Sequence, residues 1–109
     1  MPKLRCCLLF ILTCSSVHAT PEHPCANAAM KQAQQLLSFH TDTAERIEID
    51  PNVKILPDIR NPANAKQHFS VLELWGYVYK GQYRMHLIYA QTKGECLLLG
   101  QEILEYANL

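Results

Sequence analysis

Three β-rich runs, His68 to Tyr79, Gln82 to Gln91 and Glu95 to Ile103, are separated only by Lys80-Gly81 and Lys93-Gly94. Connections this short force neighbouring strands to run antiparallel, so this stretch predicts a three-stranded meander with two tight hairpins. Each x-Lys-Gly-x supplies a glycine where a two-residue turn needs positive φ. Pairing Tyr79 with Gln82 collects Leu72, Leu74, Gly76, Val78, Tyr83, Met85, Leu87 and Tyr89 on one face, the candidate core. The opposite face collects Phe69, Val71, Glu73, Trp75, Tyr77 and Tyr79 against Gln82, Arg84, His86 and Ile88. In the second hairpin, Thr92 against Glu95 turns Cys96 and Leu98 to the core and Leu97 and Leu99 away from it.

Upstream, Ala26, Ala29, Met30, Ala33, Leu36 and Leu37 recur at helical spacing. With Pro24 in the first turn, they predict an amphipathic helix over Cys25 to Phe39, its other face carrying Asn27, Lys31, Gln34, Gln35 and Ser38. Between helix and meander, Asp50-Pro51, Leu56-Pro57 and Asn61-Pro62 break up short alternating pieces. This segment reads as one edge strand broken by Pro51, then a loop to about Lys66. The fold class that follows is α+β: one N-terminal amphipathic helix on a four-stranded antiparallel sheet, a broken edge strand plus the meander.

The N-terminus is of another kind. Lys3 and Arg5 precede an apolar run from Cys6 to Thr13, and Val17-His18-Ala19 places small residues before a cut after Ala19. This is the three-part pattern of a cleaved secretory signal over residues 1–19, leaving a single domain at 20–109. The run falls short of the roughly 20 residues that span a bilayer, so the mature chain is expected to have no transmembrane segment. A lipoprotein built on Cys14 is the competing reading, weakened by the bulk of Thr13 beside it. The expected destination is the periplasm if the host is bacterial, and the exterior otherwise.

Cleavage rewrites the composition. The chain has 109 residues, ten basic against ten acidic, and five cysteines. Loss of Lys3 and Arg5 leaves eight basic residues against ten acidic, and a slightly acidic domain gives no electrostatic basis for binding nucleic acid. Loss of Cys6, Cys7 and Cys14 leaves Cys25 and Cys96, most simply one disulfide between helix and sheet.

Motifs for chemistry are weak. His23, His40, His68 and His86 form no metal-ligand spacing, the glycines form no phosphate cradle, and no cofactor is expected. Glu73 and His86 could pass a proton between them, since imidazole as a group titrates near neutrality, but no nucleophile accompanies them and no catalytic residue is assigned. The feature above background is the aromatic face, with Phe69, Trp75, Tyr77, Tyr79, Arg84 and His86 as candidate interface residues. Trp, Tyr and Arg are the side chains that most often anchor interfaces. The chain therefore reads as a small exported, non-catalytic interaction protein, an inhibitor, immunity or accessory protein, with a protein partner or a second copy on that face. A small ligand held between helix and sheet is the alternative.

Overall fold

The computed structural model describes residues 23–43, 45–79 and 81–106. Residues 1–19, over which the sequence predicts an export signal and which include Cys14, lie outside them, as do residues 107–109. Helix α1 (Ala26–Thr41) is followed by β1 (Ile47–Ile49), β2 (Lys54–Asn61), β3 (Asn64–Val78), β4 (Gly81–Thr92) and β5 (Glu95–Tyr106). All strand pairs are antiparallel, in the order β1-β3-β4-β5, and β2 continues the β1 edge along the other half of β3. The α+β class stands: one helix across one face of an antiparallel sheet.

The helix forms where its apolar spacing places it, two residues longer than expected at the C-terminal end. Ala26, Ala29, Ala33 and Leu37 are buried along one line, and the three alanines let the helix approach the sheet closely. Its first turn begins at Cys25, whose N–H donates to His23 Nδ1 at 3.0 Å. Its last turn closes on Asp42 in the left-handed region, φ 58°, with the Asp42 N–H donating to the Ser38 carbonyl. Leu72, Leu74, Met85 and Leu87 from the sheet meet Leu37 and Cys25 with no exposure at all. Burying each such leucine is worth about 1.5–3 kcal/mol.

Gly76 marks the closest approach of helix and sheet. A Cβ there would lie 2.6 Å from Leu37 Cδ2, 3.0 Å from Met85 Cε and 3.1 Å from Ile49 Cδ1. The expected disulfide is present: Cys25 and Cys96 are joined, with Cα atoms 5.7 Å apart.

Three sequence expectations are corrected. Residues up to Lys66 do not form a loop: β2 runs to Asn61 and turns through Pro62-Ala63 directly into β3, which starts at Asn64 rather than His68. Pro57 is accommodated at a register shift between Leu56 and Ile59 on the edge strand, where a missing donor costs least. The first hairpin pairs Val78 with Gly81, so Tyr79 lies in the turn rather than in a strand and takes a positive φ, 57°. Each residue's partner shifts by two positions, an even shift, so the paired residues keep their faces. Finally, β5 extends to Tyr106, three residues past Ile103.

The second hairpin is as expected, with Thr92 opposite Glu95 and positive φ at Lys93 and Gly94. Beyond it, Tyr89 pairs with Leu98 but Ile88 pairs with Gly100, leaving Leu99 as an extra residue in a β-bulge. After the bulge the alternation of β5 is inverted. Gln101, Ile103 and Glu105 share the helix side, and Gly100, Glu102, Leu104 and Tyr106 the other.

Candidate functional site

The sheet face turned away from α1 is the candidate site. Ile47–Ile49 and Lys54–Asn61 lie in the sheet as β1 and β2, and Glu105 and Tyr106 continue β5, so none of these folds over the face. Among the described residues the face carries no second layer; Val71 and Ala90 are buried within it, and its polar and aromatic side chains are ordered by contacts with one another.

Two linked groups cross β3, β4 and β5. In the first, Glu73 lies directly opposite His86, one pair closer than the sequence register implied, and His86 lies opposite Glu102. His86 Nε2 is 2.8 Å from Glu73 Oε2, and His86 Nδ1 is 3.3 Å from Glu102 Oε1. Trp75 Nε1–H donates to Glu73 Oε1 at 3.3 Å. Burial raises the Glu73 pKa, but the hydrogen bonds from His86 and Trp75, with the charges of His86 and Lys54, outweigh it and hold the carboxyl below its usual range.

In the second group, the Trp75 and Tyr106 rings meet edge to face with centroids 5.1 Å apart. Arg84 sits 5.7 Å from the centre of the Tyr106 ring and donates to its hydroxyl at 3.1 Å. Trp75 belongs to both groups, so aromatic, cationic and anionic side chains brace one another across three strands.

The six expected interface residues do not all come together. Trp75, Arg84 and His86 form the centre, and Tyr77 lies beside them, opposite Gln82 on β4 and Glu48 on β1. Phe69 is on the same face but remote, beyond the β3–β4 pairing and opposite Ile59. Tyr79 leaves the strip: it occupies the turn, 76% exposed. Sequence reasoning missed Glu102, Leu104 and Tyr106. Their period-two spacing was visible, but the bulge that carries them onto this face leaves no clear sequence signal.

On the other side of the sheet, the space against the helix is filled by Leu37, Leu72, Leu74, Met85 and Leu87. Among the described residues, no group of three or more His, Cys, Asp or Glu side chains is arranged to hold a metal ion. No described helix is long and apolar enough to cross a membrane.

Fold and face together define a small disulfide-bridged α+β domain whose outer sheet face carries no second layer among the described residues. No family model, curated protein or solved structure matches the chain.

Proposed function

We propose that this chain is a small exported, non-catalytic interaction protein, periplasmic in a bacterial host and secreted otherwise, that holds a protein partner against the outer face of its sheet. The observation that carries this reading is the cluster of Trp75, Tyr77, Arg84 and Tyr106 on the outer sheet face near the β3–β4 hairpin, with no described layer over it. Pre-ordered aromatic and arginine side chains lose little freedom on docking, which is the economy of an interface centre. The Cys25–Cys96 bridge suits an oxidising compartment. In this reading the Glu73–His86–Glu102 chain is scaffold rather than chemistry, since both imidazole nitrogens already face carboxylates.

The test is affinity capture from the exported fraction of the host, with the wild type and the double variant Trp75→Ala/Tyr77→Ala as baits. A partner retained by the wild type and lost by the variant, with the variant's thermal unfolding still cooperative, is the expected result. Equal recovery on both baits would remove the aromatic face from the binding reaction.

A further inference from the structure

The two edges of the sheet are built differently. Along one, β1 and β2 are short or interrupted, and Pro51, Pro57, Lys54, Asp58 and Arg60 stud the edge. Short strands and prolines are devices that keep a strand edge from pairing with another chain. The other edge is β5, twelve residues without a proline, and no strand pairs with its far side among the described residues. Leu97, Leu99, Leu104 and Tyr106 along it are between 41% and 56% exposed.

We propose that the β5 edge is a homodimer interface, on which a second copy of this chain pairs antiparallel, β5 against β5, to join two sheets into one. An isologous contact requires a strand to complement its own reverse. About a two-fold at Gln101, with Leu99 as the extra residue of each copy, β5 does so: Leu97 falls opposite the second copy's Leu104, Leu98 opposite its Ile103, and Glu95 opposite its Tyr106, each pair occurring twice. The charges agree with this register. Although β5 carries three carboxylates and no cation, Glu102 faces Gly100 and Glu105 faces Cys96, so no two carboxylates are opposed.

The bulge supplies the remaining condition. In a regular strand Leu97 and Leu104, an odd number of positions apart, would point to opposite faces. The extra residue at Leu99 puts both on the outer face, opposite Ala90 and Arg84 of β4, and both Leu98 and Ile103 on the helix face, opposite Tyr89 and Met85. Each apolar pair across the dimer therefore has its two members on the same side of the joined sheet. The helix lies mainly over β3 and β1, which leaves the β5 edge open to approach.

This inference stands on the edge and does not depend on a partner at Trp75. Sedimentation velocity of the purified protein over a concentration series is expected to show a monomer–dimer equilibrium. Leu97→Lys/Leu104→Lys, which changes two exposed side chains, should shift it to monomer with an unchanged circular dichroism spectrum. When Leu97→Cys and Leu104→Cys proteins are mixed and oxidised, a cross-linked dimer should form from the mixture, with neither variant cross-linking alone. A monomer at every concentration would overturn the proposal, as would a Leu97→Cys protein that cross-links to itself. So would a dimer that survives the lysine substitutions but is lost in Trp75→Ala/Tyr77→Ala, which would move self-association from the edge to the face.

Discussion

Glu73 is the residue on which the outer face turns, because it takes one hydrogen bond from Trp75 and another from His86 while lying mostly out of water. Its carboxyl pKa is held below the ordinary value, so the folded state binds that proton less tightly than the unfolded chain. The stability this contributes is complete above the usual carboxylate range and is lost as pH falls through the depressed folded value. Glu73→Gln keeps the shape and removes the charge. Its melting temperature should lie below that of the wild type at neutral pH and converge with it in acid; parallel melting curves across the whole pH range would mean that the ionised carboxyl contributes nothing.

At the scale of elements, helix-to-sheet packing depends on a missing side chain. A methyl group at position 76 would intrude on Leu37, Met85 and Ile49 at once, and the buried Leu37 and Met85 cannot swing into solvent. Gly76→Ala should therefore cost about 1–3 kcal/mol in denaturant unfolding, the usual penalty for overfilling a packed core. Gly76 was legible as a core-face position, and so were the helix stripe, the buried face of the meander and the Lys93-Gly94 turn. All of these are written in local periodicity or turn chemistry. The Lys80-Gly81 turn was misplaced because a glycine can serve two ends. Gly81 is there to admit the Tyr83 ring, whose nearest atom would lie 2.8 Å from a Cβ, and Tyr79 takes the left-handed conformation instead. Residues 54–66 hid their strand for a related reason: prolines that forbid a central strand are tolerated on an edge. The outer-face network was half legible. Trp75, Arg84 and His86 follow from alternation on two adjacent strands, whereas Glu102 and Tyr106 join them only through a bulge.

Over the whole molecule, a two-layer domain of this size buries most of its core on the helix side of the sheet, and cross-linking matters in proportion. The bridge spans 71 residues, and in the loop-entropy account its removal costs about 4 kcal/mol, a large part of the 5–15 kcal/mol typical of a domain. Cys25→Ser/Cys96→Ser should unfold at a correspondingly lower denaturant concentration, measured beside the wild type with and without reductant. If the wild type loses as much on reduction as the double variant does on substitution, the bridge itself and not the serines accounts for the change.

The bridge also sets an order of events. One of its cysteines lies at the first turn of the helix and the other at the start of β5, so a growing chain cannot form it until Cys96 has emerged. Oxidation therefore waits on a residue 71 positions after Cys25. A chain truncated before Cys96 would carry a thiol at position 25 with no partner in β5, and a thiol-reactive probe would separate unfinished molecules from finished ones.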